Sequence, residues 1–221
     1  MIRAALFDLD GVIVDTAKYH YLAWRRLADK LGFCFTETDN ERLKGVSRMR
    51  SLDILLEVGG MSDRFTPEEK ERLAAQKNEW YVAYISQMTP DEILPGVLSF
   101  LDEVRADGIR TALGSASRNT ALILGRLGID RYFDAVVDGT MVTRTKPDPE
   151  VFLRCAGMVG IEPEACVVFE DAEAGIEAAR AAGMYSVGIG SPERLGQADR
   201  VIPGFAGVSW SQIKTQLCTI R

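Results

Sequence analysis

Residues 4–8 read as a short strand, Ala4, Ala5, Leu6 and Phe7 apolar without alternation and Asp8 at its end, as a strand buried on both faces requires. From Ala17 the apolar positions move to three- and four-residue steps, Tyr21, Trp24, Leu27, Ala28 and Leu31, before Gly32, which predicts a helix. Two further helical stretches, 39–44 and 48–58, flank a turn at 45–47. Thr66-Pro67-Glu68-Glu69 sets an N-cap threonine before a proline and places a glutamate at the third helical position. That start predicts a helix of about 20 residues running toward Met88. Residues 17–88 thus read as helices without a strand.

From Leu94 onward, helical patterns (96–107, 118–127, 149–159, 172–182 and 209–218) alternate with short apolar runs (109–114, 135–138, 166–170, 184–189 and 200–202). Strands alternating with helices predict a parallel sheet covered on both faces. The expected fold is therefore α/β, a doubly wound parallel sheet interrupted after its first strand by an all-helical cap. Residues 1–15 and 93–221 would form the catalytic core and residues 16–92 the cap.

With 221 residues, 47% of them hydrophobic, the chain can build a real core plus a smaller inserted domain. A net charge of −6 without any block of like charge argues against nucleic acid or an anionic membrane as the main partner. Cys34, Cys155, Cys166 and Cys218 form no C-x-x-C pair and read as reduced thiols. No apolar run approaches the roughly 18 residues of a membrane span. The expectation is a cytoplasmic monomer acting on a small molecule.

Within this frame, "LFDLDGVIVDT" is anomalous, because Asp8 and Asp10 stand in an apolar segment where an uncompensated carboxylate costs several kcal/mol. Three more polar motifs fall at predicted strand ends: Ser115-Ala116-Ser117, Lys146 in "TKPDP", and Glu170-Asp171. Ligands of a doubly wound sheet bind where those ends converge. Carboxylates gathered there call for a hard divalent cation such as Mg²⁺, and a lysine, a serine hydroxyl and the amides after Ser117 suit a phosphoryl group. A forward-pointing aspartate in such a site can attack phosphorus, and the second aspartate can act as general acid and base.

Asp8-x-Asp10-Gly11-Val12, Ser115, Lys146 and Glu170-Asp171, in that order and with a helical insertion, resemble the haloacid dehalogenase superfamily across essentially the whole chain. The resemblance implies Asp8 as nucleophile, Asp10 as general acid/base, and Ser115, Ala116, Ser117, Asn119 and Lys146 as phosphate binders. It implies Mg²⁺ held by the side chains of Asp8 and Asp171, the backbone carbonyl of Asp10, and Glu170 directly or through water. "FDLDGVIVDTAKYHYLAW", "LKGVSR", Lys77-Asn78 and "FEDAEAGI" further resemble its phosphosugar mutases, which interconvert β-glucose 1-phosphate and glucose 6-phosphate through an aspartyl phosphate and glucose 1,6-bisphosphate. On that likeness His20, Trp24, Leu43, Lys44, Gly45, Val46, Ser47, Arg48 and Lys77 would bind substrate, with Arg48 gripping a second phosphate. A sugar-phosphate phosphatase and a non-catalytic phosphosugar-binding protein share the same core motifs. Arg118, beside the phosphate loop, and Asp148 depart from the mutase pattern and bear on substrate preference.

Overall fold

A computed structural model describes residues 1–43 and 46–220 and divides the chain into two compact units, Met1–Asp15 with Thr89–Arg221, and Thr16–Met88. In the first unit β1 (Ala4–Phe7), β2 (Arg110–Gly114), β3 (Ala135–Val137), β4 (Cys166–Glu170), β5 (Tyr185–Ile189) and β6 (Arg200–Ile202) make one sheet. Its order is β3-β2-β1-β4-β5-β6 with every pairing parallel. Strand order reverses at β1, the switch point where such sheets bind ligands. Phe7 is in register with Leu113 on one side and Phe169 on the other, so Asp8 emerges level with the ends of both neighbouring strands.

The unbroken apolar runs are explained by burial on both faces. Phe7 and Phe169 stack 4.8 Å apart on one face, with Phe100, Phe133 and Phe205 around them. Leu6, Ala112 and Val168 pack in the other layer with Val151, Phe152 and Cys155 of α7 (Glu150–Val159) and Ala178 of α8 (Glu173–Ala181). The helices α5 (Val97–Ala106), α6 (Thr120–Leu127), α9 (Pro192–Leu195) and α10 (Trp210–Cys218) complete this unit. The sequence pattern does not announce α9, which buries only Leu195 and is too short to show a period.

The helical unit contains α1 (Ala17–Leu31), α2 (Glu37–Glu41), α3 (Arg48–Val58) and α4 (Pro67–Ile85), packed around Trp24, Leu27, Phe35, Leu52 and Leu55. Thr66 and Glu69 form the expected capping box of α4. The helix expected over 39–44 is displaced toward the N-terminus. Thr36 Oγ1 accepts from the Asp39 N–H at 3.2 Å while Asp39 Oδ2 accepts from the Thr36 N–H at 2.9 Å, so the cap fixes the start at Glu37. Residues 89–92 group with the sheet unit rather than with the helices. Next to them Val14 bridges to Ile93, and the Leu94 N–H donates to the Ile13 carbonyl at 2.9 Å.

All four cysteines are free thiols, and burial pushes Cys155 and Cys166 up to about 12, where neither is reactive. Among the described residues no helix is long and apolar enough to cross a membrane.

Candidate active site

Beyond β1 the backbone folds back on itself. The N–H groups of Ile13 and Val14 donate to the Leu9 carbonyl at 2.9 and 3.1 Å, and the Gly11 N–H donates to Val14 at 2.8 Å. Leu9, Val12, Ile13 and Val14 are fully buried and anchor this turn, which holds Asp8 buried and leaves Asp10 half-buried. Gly11 adopts a φ of +72°, and a Cβ there would lie 2.2 Å from Asp171 Oδ2. Only glycine satisfies both the left-handed backbone and that close approach.

Lys146 Nζ donates to Asp8 Oδ1 at 2.5 Å, to Glu170 Oε2 at 2.7 Å and to the Gly114 carbonyl at 3.4 Å. Its ammonium also sits 4.7 Å from the centre of the Phe152 ring. Burial alone would pull this lysine down, but Asp8 and Glu170 outweigh it and keep Lys146 cationic. Burial pushes the Glu170 carboxyl up, against Lys146 and with Asp8 and Asp171 adding to the rise. Asp171 is pushed up to about 6 by burial first, then by Asp8 and Asp10. Room for Glu170 is made by Gly175 of α8, where a Cβ would stand 2.0 Å from the Glu170 carboxyl carbon.

Asp8, Glu170 and Asp171 each present a carboxylate oxygen within 4.8 Å of the others. The repulsion that adds to burial in raising Glu170 and Asp171, and the all-oxygen chemistry of the three groups, fit Mg²⁺.

β2 delivers the loop that follows it. Ser115 Oγ accepts from the Ser117 N–H at 3.1 Å, and Ser117 Oγ accepts from the Asn119 N–H at 3.2 Å. These bonds pleat the chain so that α6 begins directly after Asn119, with Ala116 exposed. The Gly139 N–H donates to the Ser117 carbonyl at 3.1 Å, and a Cβ on Gly139 would lie 2.1 Å from the Ala116 oxygen. Gly139→Ala must therefore displace this loop. Calorimetry is expected to show destabilisation of about 1–3 kcal/mol, as for other overpacked sites. Inorganic phosphate, a competitor for the loop, should bind more weakly to the variant.

In the helical unit a second group of predicted residues comes together. Lys77, only 3% exposed, sits 2.9 Å from His20 Nδ1 and 4.5 and 4.9 Å from the ring centres of Trp24 and Tyr81. The His20 ring stacks on Tyr81 at 4.0 Å. Arg48 Nη2 donates to Asn78 Oδ1 at 2.9 Å. Burial pulls Lys77 down to about 7, and the positive charge of Arg48 adds to the fall. Burial likewise takes His20 well below its ordinary value, followed by the charges of Lys77 and Arg48. An anion placed here would relieve that repulsion.

Among the described residues, the predicted Leu43, Val46 and Ser47 are not part of this cluster. Leu43 packs in the apolar core of the helices, Val46 is exposed, and Ser47 Oγ caps α3 by accepting from the Arg50 N–H at 3.3 Å. Lys44 and Gly45 lie outside the described residues. Sequence reasoning missed Tyr81 and Phe152, the rings under Lys77 and Lys146. Tyr81 was discoverable from its i+4 spacing to Lys77.

The chain matches the family model described as haloacid dehalogenase-like hydrolase over residues 2–183. It is 44% identical to a β-phosphoglucomutase of Bacillus subtilis, over 91% of this chain and 89% of that protein. It is 36% identical to a fructose-1-phosphate phosphatase of Escherichia coli, over 83% of this chain and 94% of that one. Among solved structures, the β-phosphoglucomutase of Clostridium difficile matches with a TM-score of 0.91 at 43% identity, covering 100% of both chains.

Proposed function

The chain belongs to the haloacid dehalogenase-like hydrolase family, and from that premise we propose that it is a phosphosugar mutase interconverting β-glucose 1-phosphate and glucose 6-phosphate. Family membership accounts for the phosphoryl-transfer core. The observation that carries the mutase reading is the second cluster of basic side chains, Arg48 held by Asn78 with Lys77 against His20 and Trp24, which suits a second phosphate.

In the proposed cycle the Asp8 carboxylate oxygen attacks phosphorus of glucose 1,6-bisphosphate, forming an acyl phosphate as the P–O bond to the sugar breaks. Asp10 gives a proton to the departing sugar oxygen. In the reverse sense Asp10 takes the proton of a sugar hydroxyl as that oxygen attacks the aspartyl phosphorus and Asp8 leaves as carboxylate. Lys146, Ser115 and the amides after Ser117 hold the transferring phosphoryl oxygens, and Arg48 holds the phosphate that does not transfer. Mg²⁺ would be held by the Asp8, Glu170 and Asp171 carboxylates, with the Asp10 carbonyl, and would supply the charge that lets these carboxylates share a site with phosphate.

The phosphatase relative favours a second reading, in which water rather than a sugar hydroxyl attacks the aspartyl phosphate. Phosphorus NMR of the purified protein with β-glucose 1-phosphate, Mg²⁺ and a trace of glucose 1,6-bisphosphate separates the two. Glucose 6-phosphate is expected to accumulate with little free phosphate, and chelation of the metal should stop its formation. Stoichiometric release of inorganic phosphate would overturn the mutase reading.

A further inference from the structure

The Glu150 carboxylate at the head of α7 binds the chain six and seven residues upstream, at Arg144 and Thr143, just before Lys146. Glu150 Oε2 accepts from the Thr143 N–H at 3.0 Å, the Thr143 hydroxyl at 2.9 Å and the Arg144 N–H at 2.8 Å. Glu150 Oε1 accepts from Arg154 Nε and Nη2 at 2.9 and 2.8 Å, and Arg144 Nε stands 3.8 Å from Oε2. Asp148 closes the same loop from within. It accepts from the Glu150 N–H at 2.9 Å and pairs with Arg144 at 3.0 Å, while its own N–H donates to the Thr145 carbonyl at 3.1 Å.

Glu150 is buried, whereas Thr143 and Arg144 are exposed. An exposed loop of this kind is ordinarily mobile. Here the Thr143 and Arg144 amides, three and two residues before Lys146, end on one buried carboxylate. The lysine side chain is fixed at its far end by Asp8 and Glu170, and its backbone root belongs to this loop.

We propose that Glu150 is a positioning residue for phosphoryl transfer: by gripping the Thr143–Arg144 backbone it fixes the root of Lys146 and thereby places the ammonium at the Asp8 carboxylate. Glu150 touches neither substrate nor Asp8 and acts through Lys146. The inference rests on the reading of Lys146 as a phosphate-binding residue. Loss of the clamp should act by misplacing the lysine, and an error of about 1 Å at a reacting centre can cost about 100-fold.

A double-mutant cycle distinguishes this from a merely structural ion pair. Glu150→Ala is expected to lower kcat for aspartyl phosphate formation by about 10- to 100-fold in the wild-type background. In a Lys146→Ala background the same substitution should change the residual rate less than about twofold, within the scatter of independent sites. Glu150→Gln keeps an oxygen of the same reach for the Thr143 and Arg144 amides, whereas Glu150→Asp keeps the charge but not the reach. The glutamine variant should therefore be the faster of the two, and if Glu150→Ala does not fold, Glu150→Asp takes its place in the cycle. Equal fractional losses in both backgrounds, or a folded Ala or Asp variant at full rate, would overturn the proposal. Full activity of Lys146→Ala by itself would instead overturn the phosphate-binding reading beneath it.

Discussion

Asp8→Asn is expected to abolish turnover, by more than about 10⁴-fold, as for loss of the nucleophile in other covalent mechanisms, while leaving the protein folded. The amide is nearly isosteric but has no carboxylate oxygen with which to make the acyl phosphate. The fold should not suffer, because Asp8 contributes, after burial, to the raised Asp171 carboxyl and adds to the rise of Glu170. Removing one charge relieves that repulsion, and Lys146 keeps its 2.7 Å partner Glu170. Circular dichroism and thermal melting should match the parent or show modest stabilisation. Mass spectrometry of the acid-quenched parent should find the phosphoryl group on the peptide containing Asp8. Its appearance on any other residue would refute the assignment.

Arg48→Ala should split two activities that Asp8→Asn abolishes together. Loss of a charge-assisted contact to a bound phosphate costs about 2–4 kcal/mol, or about 30- to 1,000-fold in rate. Conversion of β-glucose 1-phosphate should fall by that factor. Formation of aspartyl phosphate from a small donor such as acetyl phosphate needs only the sheet unit and should stay within about threefold, the scatter expected of a site outside the reaction. The substitution also removes the charge that adds to burial in depressing Lys77, so titration of that lysine should move upward from about 7. Equal loss of both activities, or loss of neither, would show that Arg48 does not hold the non-transferring phosphate. The upward movement of Lys77 serves as an internal control that the cluster is otherwise intact.

The sheet was legible in the chain because a strand buried on both faces is apolar along its length, and 4–7 and 166–169 are so, each run ending at a carboxylate. The helices of the insert were legible from period and capping chemistry. One start was misplaced because the Thr36–Asp39 box is equally good local chemistry and lies two residues earlier than the expected helix. Asp8, Lys146, Glu170 and Asp171 could be proposed as partners because topology alone brings the ends of adjacent parallel strands to one edge.

Distances between side chains that are remote in sequence could not be read in this way. Lys146 reaches Asp8 across 138 positions, and Lys77 reaches His20 across 57. Local sequence also does not separate Leu43 and Ser47, which serve packing and capping, from Arg48 next to them. Nor does it reveal that Glu150, an ordinary acid at a helix start, is buried under five donors from Thr143, Arg144 and Arg154. Periodicity and motif spacing record which face of an element is apolar and which residue ends it. Burial and close partners, by contrast, are sums over neighbours from the whole chain: burial raises Glu170 and Asp171 and lowers Lys77 and His20, whereas hydrogen-bonded partners raise Lys146 and lower Glu150 against it.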